Sequence, residues 1–352
     1  MAPIAVFIAD DSASVRAVLR RFLAAAPELR VIGEAADGEA AVEGVRRLRP
    51  DVLLLDMAMP KLDGLGVLAR LERSGRVPTV VLTSASNRTE LRAAFEALGA
   101  GVVELLPKPE DPDHWRQLAS TLPQVLQAAA TTGRAARPEP TPHPAAAAPT
   151  VALRTPAASP AGVWRWLALG ASTGGPAALR DLLAALPSPA PARILIVQHI
   201  AHGFEVGLAE WLAGTLGLDV RVAVDGERPD PGTVRIAPGG VHLRVTAEDR
   251  LALDGVTPPR RGHRPAVDEL FLSLAAVAPR ETAAVLLTGM GVDGAEGLAA
   301  LRRGGALCLG QDEGSSAVYG MPRAAAELGA VELALPPERL GRELARRMGG
   351  RG

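Results

Sequence analysis

The sequence predicts two successive α/β units, each a parallel sheet covered by helices on both faces, joined by an extended linker. Three observations carry this. Short continuous apolar runs alternate with helix-like stretches, the pattern of strands buried on both faces. Polar residues that can do chemistry fall at the C-terminal ends of those runs, where an open parallel sheet collects its ligands. From about residue 131 to 162 the chain turns to Ala, Pro and Thr with few large apolar residues, a composition that cannot build a core. A chain of 352 residues, 48% hydrophobic, has room for two cores. The expected boundaries are 1–128 for the first unit, 129–163 for the linker and 164–348 for the second unit.

In the first unit, residues 4–9 form an apolar run ending at Asp10-Asp11, with helix-like sequence over 14–26. A second run, 31–35, leads to the turn signal Asp37-Gly38 and another helical stretch. The runs 51–55, 78–82 and 101–106 end at Asp56, Thr83 and Pro107-Lys108-Pro109. Asp10, Asp11, Asp56, Thr83 and Lys108 therefore share one sheet edge. Three carboxylates repel one another unless a hard cation joins them, and Mg²⁺ with oxygen ligands fits. A carboxylate can also accept a phosphoryl group as an acyl phosphate. Lys108 offers a fixed positive charge, and the Thr83 hydroxyl can donate to a phosphoryl oxygen.

In the second unit the strand runs are 166–169, 194–198, 220–224, 233–237, 241–246, 250–253, 283–288 and 305–309. Helical stretches cover 176–186, 206–216, 265–277 and 294–303. The main sheet is expected to be parallel, doubly wound and Rossmann-like. The stretch 220–254 has strands with no helix between them and predicts a local antiparallel excursion. Three of the runs end in Gly170-Ala171-Ser172-Thr173-Gly174-Gly175, in Gln198-His199 and in Gly289-Met290-Gly291-Val292-Asp293-Gly294. A serine, a histidine and an aspartate at three strand ends can meet at one edge, the constellation a serine hydrolase needs. Ser172 lies where helix N-terminal amides favour developing negative charge, with Pro176 suited to the first turn. Backbone amides near Thr173 or Met290-Gly291 are the oxyanion-hole candidates. His202 and His263 are weaker alternatives to His199 as base. Asp293 could merely cap the helix that follows it, and Asp268 is its rival inside a helical pattern. The chain order Ser, His, Asp differs from the Ser, acid, His order of α/β-hydrolases and disfavours that fold. The glycines do not follow Gly-x-Gly-x-x-Gly, which argues against a dinucleotide turn.

A formal net charge of −1 gives no reason to expect nucleic-acid binding. The one cysteine, Cys308, excludes an intrachain disulfide and sits in an apolar run as a core thiol. With neither a signal-peptide pattern nor an apolar run of about 18 residues, a cytoplasmic protein without membrane insertion is expected.

The segments Asp10-Asp11, Leu55-Asp56-Met57-Ala58-Met59-Pro60-Lys61-Leu62-Asp63-Gly64 and Lys108-Pro109 resemble two-component receiver domains across residues 4–125. That resemblance implies a flavodoxin-like five-stranded sheet, phosphorylation at Asp56, Mg²⁺ held by Asp10, Asp11 and Asp56, and phosphate sensing by Thr83 and Lys108. Leu105 stands where the family often has an aromatic residue. Residues 165–345 resemble the catalytic domain of bacterial chemotaxis receptor methylesterases. The match rests on Gly170 to Pro176, Gln198-His199, Ile236 to His242, Arg264 to Asp268 with Phe271, Leu287 to Gly294, and Ser315 to Pro322; Ala266 replaces a frequent serine. It implies Ser172 as nucleophile, His199 as base and Asp293 as orienting acid, with no cofactor in this domain. The implied substrates are glutamate methyl esters, and specific glutamines, on cytoplasmic helices of chemoreceptors. A chemotaxis histidine kinase is the implied phosphodonor. The same chemistry in a non-flagellar chemosensory pathway is the alternative, and a catalytically silent binding module is the non-enzymatic one.

Overall fold

The apolar runs become the strands of two separate parallel sheets and of one antiparallel ribbon. The computed structural model describes residues 2–73, 77–83, 88–98, 102–109, 111–135 and 164–349. The first unit runs β1 (Ile4–Ala9), α1 (Ala13–Ala24), β2 (Leu29–Ala35), α2 (Gly38–Leu48), β3 (Val52–Asp56), α3 (Gly64–Glu72), β4 (Thr79–Thr83), α4 (Arg88–Leu98), β5 (Val102–Pro107) and α5 (Pro112–Ala135). Its sheet order is β2-β1-β3-β4-β5, all parallel, the flavodoxin-like arrangement. Side chains start its helices: Asp37 accepts from the Ala40 amide at 2.8 Å and Asp63 from Gly66 at 2.7 Å. Leu19, Leu23, Leu122 and Leu126 bury one sheet face under α1 and α5.

Helix α5 corrects the linker start. It continues to Ala135, inside the stretch assigned to the linker from 129. Ala129 and Ala130 are buried against the sheet, and alanine is as good a helix former as a linker component. The remainder of that stretch, 136–163, lies outside the described residues.

The second unit runs β6 (Trp166–Ala171), α6 (Gly175–Ala184), β7 (Arg193–Gln198), α7 (Phe204–Leu216), β8 (Asp219–Val222), β9 (Thr233–Ile236), β10 (His242–Val245), β11 (Leu251–Asp254), α8 (Val267–Val277), β12 (Thr282–Leu286), α9 (Ala295–Arg303), β13 (Leu307–Gln311), α10 (Met321–Glu327), β14 (Leu333–Leu335) and α11 (Pro337–Met348). The sheet order is β14-β13-β12-β6-β7-β9-β8, parallel throughout. From β6 the chain moves outward through β7, then returns to β12 on the other side of β6. The strand order reverses there, and a crevice opens at the strand C-terminal ends.

The antiparallel excursion is narrower than expected. Among the described strands only β10 and β11 pair antiparallel, as a separate two-stranded ribbon. Strands β8 and β9 lie in the main sheet and pair parallel, joined by a non-helical crossover. The short strand β14 and helices α10 and α11 complete one end of the sheet; Leu340 and Leu344 of α11 are fully buried. Cys308 is a core thiol, its pKa pushed up to about 12 by burial.

The two units pack together. Phe95 of α4 lies 6.4 Å from the Phe204 ring and 6.2 Å from Trp211, both on α7. Leu91, Phe95, Phe204 and Leu208 belong to one buried cluster that runs from the first sheet into the second.

Candidate active site and phospho-acceptor site

Strand β6 delivers Ser172 directly into a tight turn. The Ser172 amide donates to the Thr288 carbonyl at 3.0 Å, and the Ser172 carbonyl accepts from Gly175 N–H at 2.7 Å. Gly174 takes φ 75° at the start of α6, and a Cβ there would lie 2.5 Å from that of Ala317. Only glycine turns the chain this sharply in this space. Gly289 backs the serine from the β12 side, where a Cβ would lie 2.6 Å from that of Ser172.

Gln198 at the end of β7 ties two edges together. Its Nε2 donates to the Ser172 and His199 carbonyls, both at 2.9 Å, while the His199 amide donates to Ala171 O. Thr288 and Gln311 extend this scaffold. The Thr288 hydroxyl lies 2.9 Å from Thr173 O, and the Thr288 amide donates to Gln311 Oε1 at 2.8 Å. Gln198 and Thr288 lie inside the quoted motifs without having been assigned a role. Gln311, two residues past the 305–309 run, gave no signal.

His199 Nε2 and Asp293 Oδ2 lie 2.8 Å apart, with side chains 7% and 1% exposed. The alternative reading, in which Asp293 merely caps the following helix, does not describe this arrangement. Helix α9 is preceded by Gly294 at its N-cap and has no side-chain cap. The Asp293 carboxylate instead receives the first amides of α8, Val267 N–H at 2.7 Å and Asp268 N–H at 3.0 Å. Asp268 in turn accepts from Gly297 N–H of α9 at 2.7 Å, so the two helices exchange aspartates. Burial pushes the Asp293 carboxyl up, but His199 and the two α8 amides outweigh it and hold the pKa below the ordinary carboxylate value. Asp268 goes the other way, to about 6, because burial dominates its partners. Asp293 is thus the ionised partner of His199, and Asp268 faces α9.

His199 Nδ1 is buried without a partner among the described residues, and no hydrogen bond joins His199 to the Ser172 hydroxyl. None of the amides of Thr173, Met290 and Gly291 donates to another described residue. Unpaired backbone amides of this kind can donate to an oxyanion.

Of the two rival histidines, His202 is exposed. His263 stacks flat on His199, with centroids 3.8 Å apart and planes within 2°. Burial, then the charge of His199, lowers its pKa to about 4, so His263 is neutral and a poor base at neutral pH. It covers one face of His199. Replacing His263 with alanine removes a ring contact worth about 1 kcal/mol, so kcat falls roughly fivefold with little change in KM. An unchanged kcat at saturating substrate would show that the stack does not hold the working orientation.

On the first sheet's edge, ligand atoms of Asp10, Asp11 and Asp56 lie within 4.8 Å of one another. Lys108 Nζ is 2.6 Å from Asp56 Oδ2 and 2.9 Å from Asp10 Oδ2. Burial raises the Asp56 pKa, with Lys108 opposing and Asp10 reinforcing. Thr83 is buried beside this edge, and its carbonyl accepts from the Lys108 amide at 2.8 Å. All five residues expected there share the edge.

Two parallel sheets, one edged with carboxylates and the other with a serine, a histidine and an aspartate, define a two-domain signalling hydrolase. The CheB methylesterase family model matches residues 167–344, and the response regulator receiver domain model matches residues 6–120. A protein-glutamate methylesterase/protein-glutamine glutaminase of Geobacter metallireducens is 42% identical, covering 95% of this chain and 96% of its own length. One of Pseudomonas aeruginosa is 39% identical, covering 99% and 98%. The crystal structure of the Thermotoga maritima CheB methylesterase catalytic domain is 36% identical with a TM-score of 0.50, covering 52% of this chain and 98% of that one. The chain belongs to the CheB methylesterase family and carries a response regulator receiver domain at its N-terminus.

Proposed function

We propose that this chain is a phosphorylation-activated serine hydrolase that cleaves glutamate methyl esters on chemoreceptor cytoplasmic helices, releasing methanol, and deamidates specific receptor glutamines. The observation that carries the chemistry is the buried Asp293–His199 pair with an unpartnered Nδ1 at the sheet edge shared with Ser172. The Ser172 hydroxyl gives its proton to His199 Nδ1 as Oγ attacks the ester carbonyl. Amides among Thr173, Met290 and Gly291 hold the oxyanion. Methanol leaves with the proton from His199. Water, deprotonated by His199 in turn, hydrolyses the acyl-enzyme and restores Ser172. Asp293, kept ionised by two helix amides, stabilises the imidazolium. The Ser172–His199 hydrogen bond, absent from this structure, forms once substrate is seated; catalytic hydrogen bonds are commonly long before that.

The receiver supplies the switch. Asp56 is the phospho-acceptor, and Thr83 and Lys108 read the phosphoryl group. The three hard carboxylate oxygens of Asp10, Asp11 and Asp56 suit Mg²⁺, which when bound supplies positive charge against the incoming phosphoryl oxygens. A chemotaxis histidine kinase is the phosphodonor. The receiver, docked through α4 and α7, covers the hydrolase edge, and phosphorylation shifts the population towards an open arrangement. No described helix is long and apolar enough to cross a membrane, which agrees with a cytoplasmic enzyme acting on the cytoplasmic part of a receptor.

The test is methanol release from methylated receptor membranes of the same cell, with and without a small-molecule phosphodonor plus Mg²⁺. Release should rise with the donor. Asp56→Asn should keep the basal rate and lose the rise entirely. A rise that persists in Asp56→Asn would move the phospho-acceptor elsewhere, and no release under any condition would overturn the substrate assignment.

A further inference from the structure

Strand β5 contains one charged residue among apolar ones, Glu104, and its side chain crosses the interface. Its Oε2 accepts from the Gly174 amide at 3.0 Å, two residues beyond Ser172. Its Oε1 accepts from the Leu105 amide at 3.2 Å, and the Thr173 hydroxyl also favours its ionised form. The residue is 8% exposed. The groups facing it are Thr173 and Gly174 from the serine turn and Leu105 on its own strand; among the described residues no ionised side chain acts on it. A buried carboxylate with no opposing charge is costly even when hydrogen-bonded, and an apolar residue would suit an interdomain contact better.

The reaction proposed above leaves a glutamate side-chain carboxylate beside Ser172. Glu104 brings the same chemical group to the same turn. Resting on that reading, we propose that Glu104 is a built-in product analogue: its carboxylate fills, at the Gly174 amide and Thr173 hydroxyl, the subsite that receives the product glutamate carboxylate, and this contact latches the receiver over the site. Opening the interface frees the subsite for the receptor side chain. The latch also carries a pH dependence. Burial raises the Glu104 pKa from the ordinary 4.5 to about 7, so closing takes up a proton. The closed arrangement is favoured at low pH and is lost as pH rises through about 7.

The experiment uses the full chain and methylated receptor membranes, and reads the ratio of basal to phosphodonor-stimulated methanol release, in which the pH response of the triad cancels. In wild type the ratio climbs as pH rises through about 7. Glu104→Ala raises the ratio roughly tenfold or more, towards one. Glu104→Gln, which still accepts from Gly174 but cannot ionise, loses the pH-dependent climb. A demethylated, glutamate-bearing receptor peptide inhibits Glu104→Ala more strongly than wild type, because the subsite stands open. A stimulated wild type with an unchanged Glu104→Ala ratio and equal peptide inhibition overturns the latch and leaves the switch standing. A wild type that ignores the phosphodonor overturns the switch, and peptide inhibition then decides the product subsite by itself.

Discussion

Ser172→Ala loses methanol release by on the order of 10⁴-fold or more, and His199→Ala loses as much. The double variant loses no more than either one, because nucleophile and base act as a unit. Single-turnover release from methylated receptor membranes, with phosphodonor present so that the receiver is not limiting, measures all three. A double variant much slower than both singles would mean that the two residues act in separate steps. Asp293→Asn separates orientation from architecture. It loses activity by a comparable factor, because an amide no longer stabilises the imidazolium. It also loses stability, which Ser172→Ala does not. Both carboxylate oxygens of Asp293 accept from α8 amides, and an asparagine NH₂ placed against one of them leaves a donor facing a donor. That costs about 1–3 kcal/mol. A melting temperature for Asp293→Asn equal to that of wild type would show that α8 does not depend on this carboxylate for its start.

The residues at the sheet edges were legible because each ends or closely follows an apolar run, and the C-terminal edge of a parallel sheet is where its ligand-binding polar side chains collect. The same logic placed Asp10, Asp56, Thr83 and Lys108 on one edge and Ser172, His199 and Asp293 on the other. What His199 and Asp293 grip beyond each other was not legible. Asp293 receives amides 26 and 25 positions away, and its exchange with Asp268 depends on two helices lying side by side, which no local pattern encodes. The His199–His263 stack depends likewise on where a loop after the β10–β11 ribbon falls. The parallel pairing of β8 with β9 was missed because alternation within a short edge strand is the same for either direction. Strand β14, three residues long, is below what a run of apolar residues can signal. Glu104 did leave a trace, a lone acid in an apolar strand, but its partner sits 70 positions on, in the other domain. Composition marked where one domain gives way to the next only to within several residues, since alanines serve a helix end and a linker equally well.

Gly207→Leu raises phosphodonor-independent methanol release roughly tenfold to a hundredfold and leaves the stimulated rate unchanged. The reason is local. Gly207 sits on α7, and a Cβ there would lie 2.6 Å from Leu91 Cγ, 2.7 Å from Leu91 Cδ2 and 2.8 Å from Phe95 Cε2, all on α4 of the receiver. The nearest obstacles thus belong to the other domain, and the added side chain opposes docking while sparing the fold of the hydrolase unit. Within α7 itself, leucine is the better helix former by roughly 0.5–1 kcal/mol. Overpacking a close-fitting contact costs about 1–3 kcal/mol, and each 1.4 kcal/mol is tenfold in an equilibrium, which sets the size of the expected rise. The gain ends when the open arrangement predominates, so the variant approaches the stimulated rate and does not exceed it. Two controls fix the interpretation. The hydrolase domain melts no lower than in wild type, and Ser172→Ala on the Gly207→Leu background removes the added release. A basal rate equal to that of wild type, with the domain intact, would mean that the α4–α7 contact is not what keeps substrate from Ser172, leaving Glu104 and the turn it holds as the remaining restraint.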